Sequence, residues 1–426
     1  MASPVTPPRG MRDFLPADKA RRERVLAIVR GVYRSHGFDE IETPVMEDAD
    51  RLHAGLGGDN EKLAYAVMRR GLSADDLRTA HEPLELADLG LRFDLTVPLA
   101  RFYASNRGQL PSVFRAIQVA PVWRAERPQK GRYRQFVQCD IDIIGEAGTI
   151  AEVELIEATS AALDALGIPG CSIRINDRRL LTAWLTRHGV PDSRQPAALI
   201  TLDKLDKLGL DGVVSELEAL GVSDARGMLD WVDLSAGVEG SWQMLADEAW
   251  EDNDAAHDLR AIRSALPDLR LQFDPLLVRG MGYYTGPIFE VAHPELGYSL
   301  GGGGRYDGMI GRFLGTEVPA TGFSLGFERL IDLVELPEQD GAEDAALVYD
   351  REVAPATVVA LQRALVAEGA RVRIVKRPKN LRGALEQLEA DGFRRFATVS
   401  PEATSDPALL DWRRLGAADS TTTEGD

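Results

Sequence analysis

VWRAERPQKGRYRQFVQCDID, residues 122–142, decides how this 426-residue chain is read. Its two ends are apolar, and its middle gathers Arg124, Arg127, Lys130, Arg132 and Arg134 around one acid, Glu126. Apolar runs on either side of a charged loop containing Pro128 and Gly131 predict a hairpin, with strands over 111–123 and 136–144. Arginine suits phosphate because its planar fork offers paired N–H donors, although a solvated hairpin tip has the same composition. On the second strand, even spacing puts Gln138, Asp140 and Asp142 on one face. An amide and two acids in apolar surroundings are unfavourable unless cations or donors meet them.

Working outward, residues 18–36 place Val25, Leu26, Val29, Val32 and Tyr33 on one helical stripe. GFDEIETPVM (37–46) alternates like a strand, with Gly37 stopping the helix and Pro44 restricting Thr43. LRFDLTVPLARF (91–102) sets Asp94 among apolar neighbours, where an amine ligand or a protein arginine would have to meet its charge. A helix is expected over 150–166 and a strand over 172–177. From 178 to 270 the pattern is helical and acidic. ADEAWEDNDAAHD (246–258) carries six acids and no base, as a separate helical insertion with a solvated face would. Strand signals return in LLVRGMGYYTGPIFEVA (276–292), followed by glycines at 301–304 and an apolar helix at 326–336.

Those glycines allow a ligand to approach the backbone, and Tyr283 and Tyr284 supply rigid walls with polar tips. Structural turns would explain the glycines equally well. No Gly-Lys-Ser/Thr follows them, so they form no P-loop. GFSLG (322–326) has no histidine after it, which excludes a hydrolase elbow. EQDGAED (338–344) reads as a linker. Beyond it strand, helix, strand, helix and strand alternate, predicting a small parallel sheet. Within that region, 371–395 holds eight Lys or Arg against three acids.

At about 150 residues per domain the length allows two or three domains. The chain is acidic, 49 Lys and Arg against 67 Asp and Glu, a net charge of −18. A protein that coats nucleic acid is basic, so a nucleic-acid partner is restricted to a local basic face. Two cysteines, Cys139 and Cys171, exclude a disulfide framework and a four-thiolate zinc site. The six histidines lack metal-ligand spacing. No stretch approaches 18 uninterrupted apolar residues, and the opening residues lack the apolar run of a signal peptide. A cytoplasmic protein with no membrane contact is expected.

Taken together, the motifs resemble the histidyl-tRNA synthetase family of class II aminoacyl-tRNA synthetases. RGMRDFLP (9–16) and GFDEIETPVME (37–47) are similar to the family's opening and its dimer-interface motif 1. The 122–142 hairpin is similar to motif 2, and ATGFSLGFERL (320–330) to motif 3. LVRGMGYYTGPIFE (277–290) and LGGGGRYDGMIG (300–311) resemble two histidine-specific segments. The resemblance implies an α+β fold: a mixed, mostly antiparallel class II sheet flanked by helices, with a helical insertion and a small C-terminal α/β domain, working as a homodimer. It divides the chain into a catalytic core at 1–177 and 271–337, the insertion at 178–270, an anticodon-binding-like domain at 345–415 and a disordered tail at 416–426.

By position in those motifs, Arg124, Glu126, Arg132, Phe136 and Arg329 would hold ATP, with Phe136 against adenine. Asp94, Thr96, Arg124, Gln138, Asp142, Arg279, Tyr283 and Tyr284 would line a histidine pocket. Arg124, Arg279 and Arg329 would carry catalysis, Arg279 reaching both the histidine carboxylate and the α-phosphate. ATP would enter as a substrate with Mg2+, with no permanent cofactor and no protein-held metal, and tRNA(His) would accept the amino acid. Two departures stand out. Gly282 occupies the place of the Asp in the family's RGLDYY, and the final helix usual in the C-terminal domain is missing from a domain that ends near Leu415. A non-catalytic relative, the regulatory subunit of ATP phosphoribosyltransferase in histidine biosynthesis, is the alternative. It would keep the fold and the histidine pocket without the phosphate-binding arginines or the anticodon domain.

Overall fold

The computed structural model describes residues 5–53, 63–128, 131–222, 224–229, 232, 237–246, 250–279, 282–336 and 344–416, with the backbone alone at 206 and 207. Lys130, Gly280, Met281, residues 247–249 of the acidic stretch, 338–343 of the expected linker and 417–426 of the expected tail lie outside them. Two compact units result. One runs from Glu23 to Glu335 and includes the described residues up to Asp13; the other holds Phe14–Arg22 and the chain from Leu336 on.

In the first unit the strands are β1 (Asp39–Glu40), β2 (Met46–Asp48), β3 (Tyr65–Met68), β4 (Ala87–Leu91), β5 (Phe114–Trp123), β6 (Gln135–Ile144), β7 (Ser172–Asp177), β8 (Leu271–Phe273), β9 (Pro287–Ala292), β10 (Gly301–Arg305) and β11 (Ala320–Gly326). Eight of them form one sheet in the order β1-β5-β6-β11-β10-β9-β7-β8. The hairpin expected from the sequence supplies its second and third strands. β5 and β6 pair antiparallel from Phe114↔Ile144 to Trp123↔Gln135. Only the edge pairs β1–β5 and β7–β8 are parallel, so the sheet is mixed and mostly antiparallel. The odd positions of β6, Cys139, Ile141 and Ile143, are fully buried. The helix Ile150–Ala165 buries Ala151, Leu155, Ile156, Ala158, Ala162 and Leu163. Its Glu152 forms a buried ion pair with Arg305 at the end of β10, at 2.8 Å. The described residues of 178–270 are mainly helical, as expected, and lie in this same compact unit.

Several elements differ from the sequence reading. Residues 37–46 are not one strand. Pairing stops after Glu40 and resumes at Met46 in a separate three-stranded sheet of order β2-β4-β3, because Pro44 offers no N–H to a ladder and restricts Thr43. Among the described residues of 276–292, only Pro287–Ala292 form a strand. Tyr283 and Tyr284 are neighbours that both line one cavity, which the alternation of a strand forbids. The glycines 301–304 form no turn but strand β10, paired on both sides. The helix at 326–336 stops at Leu330 and gives way to turns. Phe327, Leu330, Ile331 and Val334 are all buried, so the helical spacing there records burial rather than helical hydrogen bonding.

The second unit holds β12 (Ala345–Tyr349), β13 (Val372–Lys376), β14 (Arg395–Val399) and β15 (Trp412–Arg414), in the order β13-β12-β14-β15. The parallel pairs β12–β13 and β12–β14 match the expected alternation with helices Pro355–Ala367 and Leu381–Ala390. The sheet is not wholly parallel. β15 adds an antiparallel edge against β14 where no element was foreseen. Among the described residues, no helix is long and apolar enough to cross a membrane.

Candidate active site

A cavity of about 500 Å³ opens on one face of the large sheet. β6 is its floor: Phe136, Gln138, Asp140 and Asp142, the even positions, all line it. At roughly 3.4 Å per residue, Phe136 and Asp142 stand about 20 Å apart along the strand. β11 supplies the neighbouring row, with Gly322, Ser324 and Gly326 opposite Asp142, Asp140 and Gln138. The glycines of GFSLG therefore work as small positions beside bulky polar ones. A Cβ on Gly322 would overlap the Asp142 carboxylate.

Around Asp142 the cavity is aromatic. The Tyr306 hydroxyl donates to Asp142 Oδ1 at 2.7 Å. The rings of Tyr283 and Tyr284 meet edge to face at 4.9 Å, and Tyr283 meets Tyr306 in the same way at 6.1 Å. Asp94 lies just before the helix Thr96–Asn106, where its Oδ1 accepts from the Val97 N–H at 3.2 Å. Gln138 Nε2 donates to Ser324 Oγ at 2.9 Å, and among the described residues Gln138 Oε1 is buried without a hydrogen-bond partner. Asp94, Asp140 and Asp142 are all buried. Burial, resisted by the Tyr306 hydrogen bond and assisted by Asp94, pushes Asp142 up to about 7. Burial and the charge of Asp142 raise Asp140 well above the usual carboxylate range. Such a site favours a cationic ligand, which would restore the charged forms.

Toward the start of β6 the cavity is cationic. Arg124 donates through Nε to the Phe93 carbonyl at 2.9 Å, and its guanidinium carbon lies 5.1 Å from the Phe136 ring centre. Arg134 is spent on the Glu126 carbonyl at 3.0 Å. Arg132 sits 3.6 Å from Glu126. Arg329 donates to the Ser299 carbonyl. Burial, and then the nearby cation Arg132, lower the Arg329 pKa, with Arg279 acting in the same direction. Cations crowded in this way are relieved by an anion.

Arg279 lies in the same cavity. Its Nη1 donates to Glu290 Oε2 at 2.7 Å, while Arg174 Nη1 donates to Glu290 Oε1 at 3.1 Å and Arg174 Nε to Asp274 at 2.6 Å. Burial opposes the Arg279 cation, but Tyr284 and Glu290 outweigh it and raise its pKa. Gly302 makes room for this arginine, because a Cβ there would stand 2.6 Å from the guanidinium carbon.

All twelve candidate side chains, Asp94, Thr96, Arg124, Glu126, Arg132, Phe136, Gln138, Asp142, Arg279, Tyr283, Tyr284 and Arg329, line this one cavity. Four separate stretches of sequence between residues 94 and 329 thus converge on it. A family model of histidyl-tRNA synthetase matches residues 10–330, the span that builds the site.

The chain belongs to the histidyl-tRNA synthetase family.

It is 58% identical to a histidine–tRNA ligase of Leifsonia xyli subsp. xyli, over 97% of this chain and 99% of that protein. It is 43% identical to a probable histidine–tRNA ligase of Tropheryma whipplei, over 95% and 98%. The crystal structure of histidyl-tRNA synthetase from Nostoc sp. PCC 7120 superimposes with a TM-score of 0.73 at 26% identity, covering 94% of this chain and 92% of that one. Within this histidyl-tRNA synthetase cavity the sequence reading missed Tyr306, Glu290, Ser324 and Asp203 as lining residues. Pairing register identifies Ser324, since it faces Asp140. Asp203, an exposed residue, comes from the acidic helical region, where nothing in the sequence marks one carboxylate as bordering the cavity. Among the described residues, nothing lies within 4 Å of where a Cβ on Gly282 would be, so they leave room for the acid that the motif more often carries.

Proposed function

We propose that this chain is a histidine–tRNA ligase, which activates histidine with ATP and passes it to tRNA(His). The observation that supports this best is the division of one cavity into an acidic, aromatic region around Asp94, Gln138 and Asp142 and an arginine-rich region around Arg124, Arg132 and Arg329. Histidine presents an ammonium and an imidazole N–H to the first, and ATP presents phosphates to the second.

In the reading we adopt, Asp94, Gln138 and Asp142 take the ammonium, Tyr283 and Tyr284 enclose the ring with Thr96 beside them, and Phe136 lies against adenine with Glu126 alongside. An oxygen of the histidine carboxylate attacks the α-phosphorus in line. A C–O–P bond forms, the bond from the α-phosphorus to the bridging oxygen breaks, and pyrophosphate leaves with that electron pair. The nucleophile is already an anion, so no general base is required. Catalysis rests on positioning and on stabilising negative charge by Arg124, Arg279 and Arg329. A hydroxyl of the terminal adenosine then attacks the activated carbonyl and releases AMP.

Magnesium fits this site as a companion of the nucleotide. Among the described residues no three His, Cys, Asp or Glu side chains converge on a metal position, and Mg2+ is commonly held by substrate phosphates with one or two carboxylates. Glu126 is the cavity carboxylate we assign to it, and when bound the ion would offset phosphate charge.

We read 178–270 as an insertion and 345–415 as the anticodon-binding domain, with its Lys- and Arg-rich segment 371–395 as the local basic face of an acidic chain. A homodimer is supported by exposed Val45, Met46 and Met68, on or beside the small sheet that the end of the motif 1 segment joins. The cytoplasm is the compartment that suits this activity. The regulatory-subunit alternative has no need of Arg124, Arg279 and Arg329 gathered in one cavity. Histidine-dependent exchange of pyrophosphate into ATP tests the proposal. Exchange with histidine and not with other amino acids supports it, and its absence in folded protein refutes it.

A further inference from the structure

Arg92 is only 3% exposed, and its guanidinium meets no carboxylate among the described residues. Nε donates to the Pro121 carbonyl at 3.0 Å. Nη1 faces the Thr43 carbonyl at 2.9 Å, the Thr43 hydroxyl at 3.3 Å and the Pro44 carbonyl at 3.3 Å. The backbone of the same residue is tied on both sides, its N–H to the Val45 carbonyl at 3.1 Å and its carbonyl to the Trp123 N–H at 3.0 Å. Three stretches distant in sequence therefore meet at one cation: 43–45, 92 and 121–123.

A second buried polar side chain closes the arrangement. The Thr43 hydroxyl donates to Gln118 Oε1 at 3.4 Å, and Gln118 Nε2 donates to the Leu95 carbonyl at 3.0 Å. Thr43 and Gln118 are themselves buried. Burial lowers the Arg92 pKa, and the charges of Glu42 and Glu47, which do not bond it, only partly offset this. Burying a guanidinium with no carboxylate bonded to it is costly, and an apolar core residue would fill the same space without that cost. What the guanidinium adds is a planar fork that fixes several carbonyls at set distances.

Those distances bear on the site because the next four residues of the chain build part of it. The Phe93 carbonyl holds Arg124 Nε, Asp94 enters the cavity, Leu95 is held by Gln118, and Thr96 lines the cavity wall. We propose that Arg92, with Thr43 and Gln118, is a positioning residue for the reaction. This buried polar clasp sets the 93–96 segment, and through it both the amino-acid carboxylate Asp94 and the nucleotide arginine Arg124. The proposal rests on the ligase reading of the cavity. None of the three side chains lines the cavity, so each acts through the segment it holds.

Arg92→Lys keeps the charge and most of the volume but replaces the fork with a point donor. Small displacements of reacting groups can cost about 100-fold. Pyrophosphate exchange by Arg92→Lys should have a kcat lowered about 10- to 100-fold, with KM raised for both histidine and ATP, because Asp94 and Arg124 move together. Asp94→Asn should raise KM for histidine alone. Thermal melting and circular dichroism establish that the variant is folded. If it fails to fold, Thr43→Val and Thr43→Ser decide the matter. The isosteric Val variant should lose exchange activity about threefold or more, and the hydroxyl-retaining Ser variant should match wild type. Folded Arg92→Lys with kcat and both KM values within twofold of wild type overturns the proposal, as do equal activities of Thr43→Val and Thr43→Ser. Absence of histidine-dependent exchange in wild type would instead overturn the ligase reading, and the clasp's catalytic role with it.

Discussion

Adding one methyl group at Gly302 should cripple activation while leaving most of the fold intact. Gly302 sits in β10, opposite Glu290 of β9 and Ser324 of β11. A Cβ there would lie 2.6 Å from the Arg279 guanidinium carbon, 2.8 Å from its Nη1 and 2.7 Å from the Phe289 carbonyl. Ordinary contact begins near 3.5 Å, so something must move by nearly an ångström. The Phe289 carbonyl belongs to a paired strand and yields little, whereas the arginine can swing. Swinging breaks the 2.7 Å bond to Glu290 and withdraws Arg279 from the cavity. Overpacking of this kind costs about 1–3 kcal/mol of stability. Loss of one preorganised charge-stabilising donor costs about 2.7–4 kcal/mol in the transition state, or 10²–10³ in rate. Gly302→Ala should therefore melt a few degrees lower and exchange pyrophosphate about 10²-fold more slowly, with Arg279→Ala no worse than additive. Steady-state exchange at saturating ATP and histidine, with a melting curve on the same sample, measures both. Exchange within threefold of wild type would refute the placement of Arg279 at the reacting phosphate.

Four further outcomes are expected. Arg124→Ala and Arg329→Ala should each lower exchange about 10²–10³-fold without unfolding the protein, and rates within twofold of wild type would remove them from the phosphate site. Asp94→Asn and Gln138→Ala should weaken histidine far more than ATP, as calorimetric titration with each ligand would show. Because Asp142 is pushed up to about 7 and a cationic ligand binds its ionised form, histidine affinity should be full above pH 7. It should fall by up to tenfold per pH unit below. Asp142→Asn should bind weakly at every pH and lose that limb of the profile. Removing residues from 345 onward should spare exchange but weaken tRNA charging, with a smaller salt dependence of tRNA binding than the full chain shows.

The parts of the site legible in the sequence are those where local pattern and chemistry coincide. The even spacing of Gln138, Asp140 and Asp142 placed three polar groups on one strand face, and the structure finds all three lining the cavity. The charged loop between two apolar runs marked the β5–β6 hairpin. What escaped depends on contacts across sequence distance. A run of four glycines carries no strand propensity, so β10 forms only because β9 and β11 pair with it on both sides. Glu290 reads as an ordinary polar position of a strand until Arg279 and Arg174 are found on its two oxygens. Arg92 looks like a charged residue ahead of an acid, and nothing local reveals that it is buried among carbonyls. β15 has only three residues, too few for periodicity to register.

Charging of tRNA measures the central claim directly. The purified chain is incubated with ATP, Mg2+, a tRNA(His) transcript and each amino acid in turn, and acid-precipitable aminoacyl-tRNA is counted. A histidine–tRNA ligase gives stoichiometric, ATP-dependent labelling with histidine alone, and Gly302→Ala slows it along with exchange. Folded, wild-type protein that binds histidine yet forms no histidyl-tRNA would contradict the ligase reading and leave a histidine-binding regulatory role in its place.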